Sequence, residues 1–64
     1  MAPLVITRRV VVEADGPGFV AMDGDGCVTS YPTREAVLRA IKRADQWESK
    51  RNAAIVVTEI EWRA

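Results

Sequence analysis

The sequence predicts a two-layer α+β domain in which one helix packs on a four-stranded, mostly antiparallel sheet, in the order β-β-β-α-β. Three observations lead to this fold class. Apolar residues alternate with polar ones near both ends of the chain, Gly-rich turn signals follow the first alternation, and only Thr33 to about Lys50 has helical periodicity. Residues 1–64 are expected to form a single domain, because a chain this short has room for one small core.

The first thirty residues predict a three-stranded meander. Branched side chains alternate from Leu4 to Glu13, which indicates a strand with one apolar face. The turn signal Asp15 to Gly18 precedes a second strand from Phe19 to Asp23. A tandem Asp-Gly signal, typical of tight hairpins, then precedes a third strand from Cys27 to Tyr31.

The first strand contains two adjacent arginines, one on each face of the sheet. Arg8 falls among the apolar residues, and a bulge, an edge position or a partner site would each accommodate it. The other face is expected to be partly apolar, so a second copy of the chain is a possible cover and a homodimer stays open. The expected apolar members of that face are Val5, Val11, Val20, Met22, Ile55 and Val57.

The helix has clear start and stop signals. Thr33 is predicted to cap its first turn with the side-chain hydroxyl, and Glu35 suits the positive end of the helix dipole. Lys50 and Arg51 suit the negative end, and Asn52 is expected to end the helix in the left-handed conformation.

Periodicity divides the helix into two faces. The apolar arc is expected to cover the sheet, and its alanines predict a close approach of helix and strands. It comprises Ala36, Val37, Ala40, Ile41, Ala44 and Trp47, with Leu38 at its margin. The opposite arc is basic.

A fourth strand is predicted from Ala54 to Trp62, where the alternation returns. Beside the first strand it would place the two most apolar strands next to each other. The expected strand order is therefore 4-1-2-3, with the fourth strand parallel to the first.

Charge is balanced overall but segregated along the chain. Residues 34–51 hold six basic and three acidic side chains, net +3, and the remainder holds three basic and six acidic ones, net −3. Such a dipole favours a protein partner with complementary patches, because the acidic remainder repels nucleic acid.

Catalytic chemistry is not expected, and neither is a cofactor or a metal. The chain has no histidine to activate Cys27, which is expected to be a small packing residue. Asp23 and Asp25 resemble a fragment of a calcium loop, but the hairpin turn explains them more simply. A small enzyme would have to depend on these three residues.

Two sets of candidate binding residues follow. Aromatic and arginine side chains dominate protein-binding hot spots, against the alternative of core or rim packing, and a basic helix stripe suits phosphates, against the alternative of a solvated face. The partner-binding candidates are Tyr31, Arg39, Arg43, Trp47 and Trp62. The nucleic-acid candidates are Arg34, Arg39, Lys42, Arg43 and Lys50.

The segment from Ser30 to Ala44, SYPTREAVLRAIKRA, leads from a strand end into a helix with alanines at Ala36, Ala40 and Ala44. In this it resembles small phage anti-CRISPR proteins and short bacterial and phage domains with one helix on a small antiparallel sheet. The resemblance implies a non-catalytic inhibitor that blocks a host nuclease complex by occupying a binding surface. A small homodimeric adaptor is an alternative.

No apolar run approaches the roughly 20 residues of a membrane helix, so a cytoplasmic protein without a membrane partner is expected.

Overall fold

The computed structural model describes residues 3–63 and has the predicted element order. The elements are β1 (Leu4–Asp15), β2 (Gly18–Asp23), β3 (Val28–Tyr31), α1 (Arg34–Asn52) and β4 (Ala54–Arg63). The single helix packs on one face of the sheet, which confirms the predicted fold class. In this part of the chain no helix has both the length and the apolar character needed to cross a membrane.

The strand order is β3-β2-β1-β4, which confirms the predicted order. β1 pairs antiparallel with β2, and β2 pairs antiparallel with β3, because short turns join them. β4 pairs parallel with β1, as expected for a strand that returns through a helix. The sheet is therefore mixed and mostly antiparallel.

The sheet is four strands wide at one end and two strands wide at the other. β1 has 12 residues and β2 has 6, and β2 pairs with β1 only from Val10 onward. β4 pairs with β1 over a longer range, from Leu4 to Glu13. The N-terminal half of β1 consequently has one strand neighbour.

The core lies where the sheet is widest. Val12 and Val37 are fully buried, and Val10 is nearly so. The partly buried residues that pack against these three are Phe19, Ala21, Tyr31, Ile41 and Ile60. Since side chains alternate along a strand, this core defines the helix-facing side of the sheet, and the intervening residues form its outer face.

Both ends of α1 are capped. The backbone N–H of Ala36 donates to Thr33 Oγ1 over 3.1 Å, which confirms the predicted N-cap. The prediction that Asn52 ends the helix is wrong by one residue. Its side-chain amide donates back to the Glu48 carbonyl, so Asn52 remains helical, and Ala53 takes the left-handed conformation with φ 47° and ψ 50°.

Arg8 occupies an edge position, one of the three arrangements expected for it, because no bulge interrupts the pairing of β1 with β4 and β2 pairs with β1 only from Val10 onward. Its side chain points to the helix-facing side, where the guanidinium lies 3.9 Å from the Asp45 carboxylate.

The expectation that Cys27 is a packing residue of a strand is wrong. Cys27 lies before β3 and is exposed rather than packed. The turn holds it there, because its N–H donates to Asp23 Oδ1 and its carbonyl accepts from the Asp23 N–H.

Candidate functional site

Trp47 is the most exposed aromatic side chain in residues 3–63, with 58% of its surface accessible. The prediction that it covers the sheet is wrong. Asp45 accepts from the Thr58 hydroxyl, and Ser49 donates to the Ala54 carbonyl, so this part of α1 lies over the start of β4. At that end the sheet is only two strands wide, and one flank of the helix has no strand beneath it.

The position of Trp47 on the helix identifies that flank. Trp47 follows Ala40 by seven residues, which places the two side chains on the same side of α1. Ala40 lines a cleft together with Thr29 and Tyr31 of β3, so this side faces the hairpin of β2 and β3 rather than β4. The Trp47 flank, defined as Arg43, Trp47 and Arg51, continues in the same direction past the end of that hairpin.

Arg51 covers part of the Trp47 ring. Its guanidinium carbon lies 5.0 Å from the ring centroid, a distance at which the ring quadrupole attracts the cation. The pair presents an apolar surface and a positive charge side by side. Tryptophan and arginine are among the residue types that are enriched in binding hot spots.

The basic side chains of α1 are not neutralised by acidic ones. The ion pairs formed within residues 3–63 involve Arg8, Arg9 and Arg63, all of which belong to strands. None involves the cationic stripe, which comprises Arg39, Lys42, Arg43 and Lys50, or Arg51 beside it. The basic residues that the sequence concentrates in positions 34–51 therefore form a positively charged surface on the helix.

The structure divides the five partner-binding candidates among three places. Arg39, Arg43 and Trp47 are exposed on neighbouring sides of α1. Tyr31 packs against the core and lines the cleft. Trp62 lies at the other end of the sheet, where its ring meets Phe19 edge to face at 6.1 Å.

Arg34, one of the nucleic-acid candidates, is separated from the cationic stripe. Its guanidinium carbon lies 4.5 Å from the Trp62 ring centroid, at the start of α1. The other four candidates, Arg39, Lys42, Arg43 and Lys50, are all exposed along the outward side of the helix. They span about 17 Å at the helical rise of 1.5 Å per residue.

The cleft between α1 and the hairpin has a volume of about 140 Å³. Small side chains open it, because Ala40 and Ala44 of the helix face Ala21 of β2. Its polar groups are largely engaged elsewhere in the fold. Asp45 accepts from Thr58 Oγ1 at 2.6 Å, and Asp23 Oδ1 accepts from the backbone N–H of Asp25 at 2.9 Å.

The acidic turn between β2 and β3 is held together by its own carboxylate. Asp23 uses a carboxylate oxygen to close its own turn, which is the structural role that the hairpin interpretation assigns to it. Among residues 3–63, no three side chains of the metal-binding types lie close enough together to hold an ion.

Comparison with protein-family models, curated proteins and solved structures found no match to this chain.

The outer face of the sheet carries a network of four charged residues. Glu61 lies between Arg9, at 3.0 Å, and Arg63, which also approaches Glu13 at 3.5 Å. The hydrogen bond and the charge of Arg63, with a smaller contribution from Arg9, hold the pKa of Glu61 below its usual value. The expected apolar members Val5, Ile55 and Val57 are exposed on the same face, toward its two-stranded end.

Two parts of the site were not predicted from the sequence. Arg51 was assigned only to the helix dipole, although its spacing of four residues from Trp47 is a signal for stacking. The exposed flank beneath Trp47 follows from the unequal lengths of β1 and β2. The predicted strands of ten and five residues already contained that difference.

Proposed function

We propose that this chain is a small, non-catalytic interaction module that captures a protein partner through the Trp47 flank and the adjoining cationic stripe. The observation that carries the proposal is the exposed Trp47 ring with Arg51 stacked on it. A tryptophan exposed to this degree leaves apolar surface in water, and its burial against a partner is favourable.

The charge of the flank indicates the chemistry of the partner. The cationic stripe and Arg51 have no carboxylate partner within residues 3–63. An acidic surface on the partner would supply the missing counter-charges and would raise the rate of association. We therefore expect an acidic patch next to an apolar pocket that receives Trp47.

In its more specific form, the proposal is a phage-encoded inhibitor of the anti-CRISPR type that blocks a host nuclease complex. It is supported by the resemblance carried by Ser30 to Ala44, by the small size of the chain and by the positive helix surface. The inhibitor would act by occupying a surface of the nuclease complex, and no chemistry would be required of its own side chains.

The experiment is a tagged pull-down from bacterial lysate, with and without added nuclease. The proposal predicts a protein band that persists after nuclease treatment and is lost with Trp47→Ala. Leu38→Ala is the matched control, because Leu38 is also exposed, at 43%, on the opposite flank of the same helix. A band retained equally by both variants would refute the proposed surface.

The anti-CRISPR form has its own test. Purified protein, added to a CRISPR nuclease assay with a cleavable target, is expected to reduce cleavage in proportion to its concentration. Trp47→Ala is expected to weaken this effect about tenfold or more, since hot-spot truncations have costs of this size. If the protein captures a partner but does not inhibit any nuclease in a panel of such complexes, the proposed interaction module is retained and the anti-CRISPR function is rejected.

A second candidate function is nucleic-acid binding by the cationic stripe, favoured by the absence of ion pairs to those four side chains in the described residues. It predicts affinity for DNA or RNA that falls steeply with salt. Under this candidate Lys42→Glu would weaken binding strongly and Trp47→Ala would weaken it little, which is the reverse of the order expected for protein capture anchored by Trp47. No binding at low salt would eliminate this candidate.

A further inference from the structure

The N-terminal half of β1 has an unpaired side. β4 pairs with β1 from Leu4 onward, but β2 begins to pair only at Val10. Within residues 3–63, no other strand or turn forms a backbone hydrogen bond to the side of Leu4–Arg9 that faces away from β4. This side is the open edge.

The open edge has the chemistry of a site for strand addition. Alternate residues of a strand direct their N–H and C=O groups to each neighbour, so the open edge presents unpaired donors and acceptors over about 20 Å. Proteins usually protect such edges with charged side chains, proline or a bulge. In Leu4–Arg9 the charges are confined to Arg8 and Arg9 at one end, whereas the pairing with β4 is continuous and Leu4 and Val5 are more than half exposed.

A strand added here would lie in the position that β2 leaves empty. It would run about 4.8 Å from β1, beyond the turn that ends β2. The Trp47 flank is on the same side of the molecule, above this position, and Arg8 of the open edge is one of the residues that line the cleft. An added strand would therefore be covered by Trp47 on its helix-facing side.

We propose that the open edge and the Trp47 flank together bind an extended segment of the partner protein, which pairs with β1 as a fifth strand. The segment carries acidic side chains on its helix-facing side, next to apolar ones. This inference rests on the proposed function and specifies how the partner is held. Backbone pairing supplies general affinity, and the alternating side chains supply specificity.

Charge complementarity favours an acidic partner segment over a second copy of the chain. Arg43 and Arg51 have no carboxylate partner within residues 3–63, and an acidic strand beneath them would supply one. A second copy paired at the same edge would instead bring Arg8 and Arg9 of each chain close to the cations of the other. Like charges at short distance disfavour that arrangement.

The exposed area of the chain is large enough for such a contact. A compact monomer of 7.1 kDa exposes roughly 4,100 Å². This chain exposes 4881 Å² and measures 46 × 16 × 16 Å, because its two-stranded end projects from the core. A segment that buries roughly 800 Å² of this surface would form an interface of standard size.

The test uses the intact protein and an mRNA-displayed library of random 12-residue peptides. We expect selection of peptides in which acidic and apolar residues occupy every second position, so that both lie on the helix-facing side of the added strand. Backbone amides of Leu4–Arg9 on the open edge are expected to exchange at least about tenfold more slowly when such a peptide is bound, because they become hydrogen-bonded. Failure to select any peptide, or protection confined to α1, would overturn the proposal.

Matched controls separate backbone pairing from charge attraction. The same peptide with alternate backbone nitrogens methylated keeps its side chains but loses donors, and we expect its affinity to fall about tenfold or more. Trp47→Ala and Arg51→Glu are expected to weaken binding of the unmodified peptide, whereas Leu38→Ala leaves it unchanged. Equal binding of the methylated peptide would contradict strand addition.

The outcomes also separate this inference from the proposed function. If Trp47→Ala abolishes capture of the cellular partner while the Leu4–Arg9 amides stay unprotected in that complex, the interaction module stands and strand addition is wrong. If Trp47→Ala leaves capture unchanged, the proposed function itself is wrong. Concentration-dependent protection of Leu4–Arg9 in the protein alone, with dimers in sedimentation, would make a second copy the occupant and overturn the partner segment.

Discussion

The guanidinium carbon of Arg51 lies 5.0 Å from the centroid of the Trp47 ring, one helical turn away. This contact holds the exposed ring beside a positive charge that has no carboxylate partner in residues 3–63. Replacement of Arg51 by glutamate removes the stacking and reverses the charge. We expect Arg51→Glu to weaken capture of an acidic partner more than Arg51→Ala, measured by surface-immobilised binding. Equal effects of the two variants would mean that a negative charge at this position does not repel the partner.

The fully buried Val37 should dominate stability. Val37→Ala leaves a void beside Val12 and is expected to lower the free energy of unfolding by about 2 kcal/mol. For a domain that one small core stabilises by only about 3 to 5 kcal/mol, this is a large fraction. Urea denaturation measures it. Val28→Ala is the control, because Val28 is 61% exposed, and a change within about 0.5 kcal/mol is expected there.

Ala53 offers a stabilising substitution. Its φ of 47° lies in the left-handed region, which strains a residue with a Cβ atom but not glycine. Ala53→Gly is therefore expected to raise the free energy of unfolding by about 0.5 to 1 kcal/mol, despite the greater freedom of the unfolded chain. Ala40→Gly, in the interior of the helix, should lower it by about 1 kcal/mol. A loss of stability in both variants would contradict the assigned cap.

The stability of the fold is expected to depend on pH through the ionisation of Glu61. Because Arg63, and to a lesser extent Arg9, hold its pKa below the usual value, the ionised form stabilises the folded state. That contribution is complete above the unfolded pKa of about 4.3 and is lost as the pH falls through the lowered folded pKa. The wild-type protein should therefore have a higher melting temperature than Glu61→Gln at pH 7, and this difference in melting temperature should disappear in acid. Melting curves between pH 7 and pH 2 measure this, and a difference that is independent of pH would disagree.

The fold was predictable because local signals agree with one another. The alternation in β1 and β4 identified two strands with an apolar face, and Thr33 identified the start of the helix. The strand order followed because pairing β4 with β1 joins the two most apolar strands. Each of these inferences depends on short-range pattern, which a single sequence contains.

The surroundings of the site were harder to predict, because they depend on which parts of the sheet lie beneath the helix. Periodicity places Trp47 on the flank that faces the hairpin, but it does not show that the hairpin ends before reaching it. Cys27 was mistaken for a strand residue because the carboxylate of Asp23 extends the turn to include it. In the first case the length of another strand decides the environment, and in the second a side-chain hydrogen bond within the turn does.

Trp47 is the anchor of the partner in the proposed interaction. The most direct measurement is the dissociation constant of the captured partner for wild type, Trp47→Ala and Leu38→Ala, with melting temperatures recorded for all three. We predict that Trp47→Ala weakens binding about tenfold or more without loss of folding, and that Leu38→Ala changes it less than about twofold. Equal affinities for wild type and Trp47→Ala would contradict the account.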